Sequence, residues 1–431
     1  MADALKVALA GLGTVGAGVV RVLDTNCDLI ARRAGRPIEV VAVSARDRHK
    51  DRGIDLGRFA WLDDTGALAG ADADVVVELI GGSDGPALAL ARATLAAGKG
   101  LVTANKAMLA HHGFELAQAA EAAGAPLKFE AAVAGGIPVI KGLREGAAAN
   151  AIGRVYGILN GTCNFILSTM EAEGRDFADV LAEAQAKGFA EADPSFDIDG
   201  IDAAHKLSIL AALAFGSRPA FDGVEAHGIR EVLAADIAEA AALGYRIRLL
   251  GLAEAGGGEN GGLFQRVHPH LVPVSHPLAH VTGATNAVVA EGNFVGPLLF
   301  QGAGAGAGPT ASAVVADLID VARGEFGPPF AMPAAALEAN APASSGARRG
   351  RAYVRFNVVD RVGVLAEIAA AMRDAGVSIG SLIQRGANAD GSVLVAMVTH
   401  EGPERSVAQA LERLRGSQSL AGQPLWMHIL G

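Results

Sequence analysis

Residues 11–16 read Gly11-Leu12-Gly13-Thr14-Val15-Gly16, a GxGxxG run set directly after the apolar stretch Leu5–Ala10 and before a helical pattern. This constrains the fold more than any other feature. A strand, a tight glycine turn and a helix in that order open a βα unit of a parallel sheet. Gly11 permits the turn, Gly13 lets the main chain approach a pyrophosphate, and Gly16 lets helix and strand pack closely. The helix start offers amide N–H groups and a positive dipole end to phosphate. A bare GxGxxG is weak evidence, but in this setting it points to dinucleotide binding.

The rest of residues 1–130 agrees. Short apolar runs at Glu39–Ser44, Asp74–Ile80, Leu101–Thr103 and Leu127–Glu130 alternate with helical stretches, the pattern of an α/β, Rossmann-type parallel sheet. Residues 131–325 read as a second, α+β domain, with glycine runs at 256–262 and 302–308 and a helix starting near Thr310. Residues 326–350 have a linker composition of Gly, Pro, Ala and Ser. Residues 351–431 read as a separate βαββαβ unit. Its elements are a strand at Tyr353–Val358 and a helix carrying Val364, Leu365, Ile368, Ala369 and Met372 on one face. Then come strands Val377–Gln384 and Ser392–Thr399 around Asp390-Gly391, a helix near Arg405–Arg415 and a last strand at Pro424–Leu430.

The net charge of −10 argues against nucleic acid or an anionic membrane as partner. No apolar run reaches the length of a membrane span. Two cysteines, Cys27 and Cys163, are too few for a disulfide framework or a Cys-rich metal site. A cytoplasmic protein is the expectation.

The densest chemistry lies in residues 186–206, AKGFAEADPSFDIDGIDAAHK. Glu191, Asp193, Asp197, Asp199 and Asp202 precede Lys206. Glycine, proline and acids make the first part a loop, and the helical pattern begins near Ile201. Asp202 and Lys206 then stand at i,i+4 on one helix face. Such a pair is commonly a solvated surface contact worth about 0.3–0.5 kcal/mol. The apolar neighbours Phe189, Phe196, Ile198 and Ile201 would instead draw the loop against a core, where unpaired acids are costly. A lysine beside buried carboxylates suits proton donation in an alcohol or aldehyde reaction.

Other candidates are more open. The second strand ends without an acid, and Arg46, Arg48, His49 and Lys50 follow, which favours NADP over NAD, with NAD use remaining an alternative. Lys106 follows a strand end, where a parallel sheet lines its ligand crevice, and is equally readable as a surface lysine. Glu130 ends a strand and is followed by exposed main chain through Ile137. A carboxylate and carbonyls could hold a cation there, or the segment is a plain crossover. Asn160 and Thr162 could wall a small polar substrate. Cys163 as nucleophile would need a base beside it. His268, His270, His276 and His280 fit no compact zinc pattern and are expected in loops and interfaces.

Taken in order, GLGTVG, TANK, EAAVAGGIP, NGTCN, DIDGIDAAHK, SHPLAHVTGATNAV and PTASAVVAD closely resemble homoserine dehydrogenases over about residues 1–320. Asp360-Arg361-Val362-Gly363-Val364-Leu365 resembles an ACT domain, a ligand-sensing unit. No kinase-like region precedes the dehydrogenase part, as in the monofunctional form. The resemblance implies a substrate-binding catalytic and dimerisation domain over 131–325 and an ACT domain over 351–431. It implies Lys206 as proton donor and acceptor, Asp202 as its orienting partner, and Lys106 reaching substrate and cofactor. Glu191 would hold the substrate ammonium, with Gly188 giving main chain and Asp197, Asn160 and Thr162 lining the site. Thr14, Val15 and Gly302 would touch the cofactor. A sodium-type ion would sit on Glu130, Val133, Gly135 and Ile137. Ala303 stands where the family often has proline, which suggests a looser loop beside Gly302. The implied reaction is the NADPH-linked interconversion of L-aspartate 4-semialdehyde and L-homoserine, with threonine as effector and a homodimer or homotetramer as assembly. Two rivals are an acylating semialdehyde dehydrogenase using Cys163 and a non-catalytic NADP-sensing regulator.

Overall fold

The computed structural model describes residues 3–256, 262–343, 346, 348–387 and 391–431. The glycine run at 257–261 and Asp390 of the expected hairpin turn lie outside the described residues. The chain divides into two compact units, residues 1–161, 202–224 and 285–340 in the first and 162–201, 225–284 and 341–431 in the second.

The first unit holds six parallel strands, β1 (Leu5–Ala10), β2 (Ile38–Ser44), β3 (Ala60–Trp61), β4 (Val75–Glu78), β5 (Gly100–Thr103) and β6 (Leu127–Lys128). Their order is β3-β2-β1-β4-β5-β6, a doubly wound sheet whose direction of winding changes between β1 and β4. Five strands lie within two residues of their sequence-based positions. Two-residue β3 is too short for periodicity to reveal. β1, β4 and β5 read as almost unbroken apolar runs because both sheet faces are covered.

One cover comes from far along the chain. Helix α1 (Thr14–Thr25) packs with a later helix, Ala307–Arg323, in a core that joins Val7, Leu9, Val19 and Val20 to Val314 and Leu318. Each such side chain contributes about 1.5–3 kcal/mol on burial. Gly18 permits the close approach, since a Cβ there would stand 2.7 Å from the Ala307 carbonyl oxygen.

Between these helices lie α2 (Lys106–Ala123) and α3 (Ile201–Phe215); the Ala307–Arg323 helix is α4. The first unit also holds three antiparallel strands, β7 (Ile152–Ile158), β8 (Thr285–Gly292) and β9 (Gly296–Ala303), paired in the order β9-β8-β7. Residues 326–340, for all their linker composition, are packed. Phe330 is fully buried with its ring 5.2 Å from that of Phe129, and Ala334 donates its N–H to the Glu121 carboxylate.

In the second unit, strands Tyr245–Ala255 and Leu263–Pro273 pair antiparallel. The C-terminal elements follow as strand Arg349–Val359, helix Val364–Asp374, strands Ile379–Ala387 and Ser392–Thr399, helix Glu404–Leu414 and strand Leu425–Ile429, the expected βαββαβ order. They bury Val354, Phe356, Ile368, Met372, Val395 and Met397 together. This part is less separate than its sequence suggests. Its last strand runs parallel to Leu263–Pro273, matching His270 to His428 and Leu271 to Ile429. Arg266 pairs with Glu404 at 2.8 Å and Arg355 with Asp236 at 2.7 Å. His268 and His270, expected in loops, are strand residues here, and burial lowers His268 to about 4.

Two aromatic expectations fail. Phe189 and Phe196 are 44% and 45% exposed, and Ile198 alone among the loop's large side chains up to that point is fully buried. Four-residue helix Ser195–Ile198 turns Ile198 inward and leaves Phe196 outside.

No helix among the described residues is long and apolar enough to cross a membrane.

Candidate active site

The glycine turn has the geometry that its residues require. Gly11 adopts φ +96°, and a Cβ there would lie 2.7 Å from the Leu79 carbonyl oxygen. A Cβ on Gly16 would lie 2.0 Å from the Gly11 carbonyl oxygen, whereas one on Gly13 would meet no protein atom within 4 Å. Gly13 also caps α1 without a side chain, so Thr14, Val15 and Gly16 open the helix with amides suited to an anion. These residues fit a dinucleotide pyrophosphate.

Beyond β2, Ser44 is buried and Arg46 through Lys50 are exposed. Sequence reasoning missed Arg52, which ties this loop to the glycine turn by donating to the carbonyls of Leu12 at 2.8 Å and Lys50 at 2.6 Å.

Lys106 is placed by a network that the sequence did not announce. Glu78 ends β4 fully buried. It accepts the N–H groups of Ile80 and Gly81 and, at 2.6 Å, the Thr103 hydroxyl. Thr103 in turn accepts the Asn105 N–H, and the Asn105 side chain caps α2 by accepting from the Met108 N–H at 3.0 Å. The one signal was an acid at the end of an otherwise apolar strand. A buried carboxylate survives only with such donors.

Asp202 lies in the first turn of α3, a helix buried from Asp202 to Leu213. Its Oδ2 accepts from Lys206 Nζ at 2.6 Å and from Asn160 Nδ2 at 2.8 Å. Its Oδ1 pairs with Lys106 Nζ at 2.9 Å. Lys206 Nζ also donates to the Leu159 carbonyl at 2.8 Å, an oxygen shared with Asn286 Nδ2 at 2.9 Å. β7 delivers Leu159 and Asn160, and β8 delivers Asn286. The i,i+4 pair is therefore no solvated surface contact, since Lys206 is 8% and Asp202 3% exposed. Burial alone would raise the Asp202 carboxyl, but Lys206 and Lys106 outweigh it and hold it below its ordinary range.

The other expected substrate residues belong to the second unit. Thr162 Oγ1 donates to the Phe189 carbonyl at 2.8 Å and to Asp197 Oδ2 at 3.3 Å. Glu191 is exposed and Gly188 is left-handed at φ +74°. Cys163 is fully buried and its thiol meets the Asp197 carbonyl at 3.2 Å, which suits a structural thiol.

The Glu130 region departs from its expectation. The carboxylate faces main-chain donors, accepting from Ile140 N–H at 3.0 Å and Lys141 N–H at 2.8 Å. The Ile137 carbonyl accepts from Val139. Ala134 and Gly135 are both left-handed, at φ 56° and 50°, and a Cβ on Gly135 would lie 2.4 Å from the Gly304 carbonyl oxygen. Ala303 is held as well: it pairs with Thr285, and its carbonyl accepts the Gly136 N–H at 3.0 Å. That end of β9, with Gly302, is thus fixed by hydrogen bonds without a proline.

Known proteins resemble this chain in sequence and fold. Family models match at residues 11–130 (homoserine dehydrogenase, NAD binding domain), 138–319 (homoserine dehydrogenase) and 352–416 (ACT domain). The homoserine dehydrogenase of Pseudomonas aeruginosa is 46% identical, with 97% of each chain covered. This chain belongs to the homoserine dehydrogenase family. The crystal structure of a homoserine dehydrogenase from Thiobacillus denitrificans superposes with a TM-score of 0.92 at 43% identity, covering 99% of this chain and 98% of that one. A hyperthermophilic archaeal homoserine dehydrogenase in complex with NADPH matches with a TM-score of 0.64 at 27% identity, over 76% of this chain and 99% of that one. As a homoserine dehydrogenase, the chain is an oxidoreductase of amino-acid biosynthesis that acts on a CH–OH group with a nicotinamide cofactor.

Proposed function

We propose that the chain interconverts L-aspartate 4-semialdehyde and L-homoserine with NADP(H), using Lys206 as proton donor and acceptor. The observation that carries this reading is the buried Asp202, kept ionised between Lys206 and Lys106. An ionised carboxylate at 2.6 Å favours the protonated lysine despite its burial. A protonated Lys206 stabilises charge developing on the aldehyde oxygen and gives it a proton; in reverse, its neutral form takes the hydroxyl proton. Asn160 and Leu159 fix the Asp202 and Lys206 side chains, and Lys106 supplies a second positive charge that is one-third exposed. Glu191 is the proposed partner of the substrate ammonium, and Gly188, Asp197 and Thr162 are further proposed substrate residues. Bound nicotinamide supplies or accepts the hydride. Gly11, Gly13, Thr14, Val15, Gly16 and Gly302 are proposed to hold the cofactor.

The acid-free end of β2, with exposed Arg46, Arg48, His49 and Lys50 after it, supports NADP. Replacing Arg46 with Ala should lower the NADP-to-NAD ratio of kcat/KM by about tenfold, the equivalent of ~1.4 kcal/mol. An unchanged ratio would exclude Arg46 from 2′-phosphate recognition.

A sodium-type ion is proposed at the 130–137 turn, held by main-chain carbonyls such as those of Val133 and Gly135. The Glu130 carboxylate is already engaged by amides and serves the turn indirectly. Thermal stability compared in sodium and potassium buffers tests the site.

Threonine is proposed as effector in the ACT region, where Val358, Asp360, Arg361, Gly363 and Gln384 line a cavity of about 220 Å³. Because the last strand also pairs with Leu263–Pro273, removing the region would strip a neighbouring sheet. Asp360→Ala is the cleaner test. It should relieve threonine inhibition while leaving uninhibited turnover intact. Products of the reaction would feed threonine, methionine and isoleucine synthesis, in the cytoplasm and as a homo-oligomer.

The deciding assay is homoserine-dependent reduction of NADP and of NAD, with and without threonine. Turnover that survives Cys163→Ser would exclude the acylating rival. Cofactor binding without any turnover would favour the regulator.

A further inference from the structure

Two contacts tie α2 to α3. One is Lys106 Nζ with Asp202 Oδ1 at 2.9 Å. The other lies further along both helices, where His111 Nε2 and His205 Nε2 stand 3.3 Å apart. His205 is buried and stacks on the Phe221 ring, with centroids 4.2 Å apart and planes 7° from parallel. His111 is exposed and packs on the same ring at 4.7 Å.

A nitrogen-to-nitrogen contact of this kind needs one proton between the rings: one imidazole donates and the other accepts. Two imidazolium rings would turn two N–H groups and two positive charges on each other. His205 directly precedes Lys206 in α3, and a change in the spacing of the helices reaches the Lys106–Asp202 pair.

We propose that His111 and His205 are positioning residues: a single-proton clasp that sets the α2–α3 spacing at which Lys106 and Lys206 share Asp202, and that opens at the acid end of the working range, when both rings carry charge. Charged and titratable groups face the pair from every side. On the His111 side stand Asp84, Glu115 and His112, the last bonded to Asp84 at 2.9 Å. Along α3 stand Asp202 and Lys206, with Lys106 opposite, and Asp222 adjoins Phe221. A single imidazolium can still donate to a neutral ring, so the clasp opens only when both rings carry charge.

The inference rests on Lys206 and Asp202 being the chemical centre. The test is kcat against pH for the full-length wild type, His111→Gln, His111→Ala and His205→Gln. Glutamine keeps a hydrogen-bonding amide and does not titrate. Both glutamine variants should retain most of the wild-type kcat near neutrality, and the midpoint of the acid limb should move down by about one pH unit or more. His111→Ala should lose several-fold in kcat, and glutamine at the same position should restore it. The KM for NADP should not change. An acid limb that stays in place in His111→Gln overturns the clasp. Exposed His111 can be replaced without disturbing a core, so that variant decides the matter even if His205→Gln fails to fold. Full turnover in Lys206→Ala would instead remove the underlying reading, whatever the limb does.

Discussion

The first unit contains two buried carboxylate sites of similar composition that behave in opposite ways. Asp202 faces two lysines and an asparagine amide, and its carboxyl is held below the ordinary range. Glu130 shares its surroundings with Asp317, and burial with that second acid lifts it from 4.5 to about 7. Lys141 bridges toward the acids, lying 3.6 Å from Asp317 and 2.6 Å from Asp320, which Lys128 also reaches at 3.3 Å, but the Glu130 carboxylate itself accepts from main-chain amides rather than from a lysine. Burial is common to both sites. The balance of nearby charge sets the direction of the shift. One site keeps a negative charge permanently available to orient a cationic lysine. The other holds a turn together through two amides that its carboxylate accepts, while burial and Asp317 oppose its charge.

The largest test of this contrast is Lys206→Ala. It should reduce kcat by about 10²–10⁴-fold, the range for losing a positioned acid–base group, and leave NADP affinity nearly unchanged. If kcat stays at the wild-type level, the Asp202 site is structural like its counterpart.

Asp202→Ala should come next. It leaves Lys206 and Lys106 facing a buried gap, which should destabilise the fold by about 3–5 kcal/mol in denaturant unfolding. A loss well under 1 kcal/mol would mean that the lysines relax toward solvent. The pH dependence has a definite sign. A depressed carboxyl stabilises the fold above its ordinary value of 3.8, and that stability fades as pH falls.

Glu130 carries the opposite sign and a smaller effect. The folded chain binds its proton more tightly than the unfolded chain between 4.5 and about 7. Its contribution is therefore complete below that window and disappears as pH rises through it. Glu130→Gln should flatten this decline, gaining about 1–3 kcal/mol on wild type from the acid side of the window to the alkaline side. Parallel stability–pH curves for the two proteins would show that Glu130 is ionised throughout and would collapse the contrast.

Much of the architecture was legible beforehand. β1 and the glycine turn were readable because strand, turn and helix signals coincide within sixteen residues. The Asp202–Lys206 pair was readable because helical spacing brings i and i+4 together. Other features had no local signal. Nothing in Asn105, Thr103 or Glu78 separately reveals their shared hydrogen-bond chain, which joins the ends of two strands distant in sequence. Phe189 and Phe196 were misread because hydrophobicity states a preference for burial, while the short helix at 195–198 decides which side chain turns inward. The two amides ten and eleven residues on that donate to the Glu130 carboxylate likewise had no local signal, because folding alone brings them there.

The sequence by itself determined the parallel sheet, the glycine turn, the βαββαβ region and the spacing of the acid–lysine pair, because each depends on residues close together in the chain. Only the tertiary structure decided that Lys106 joins Asp202, that a late helix completes the first core, and that one buried carboxyl is shifted down while another is shifted up. Those outcomes depend on the sum of desolvation and the charges that distant segments bring within a few ångströms, and no local pattern encodes that sum.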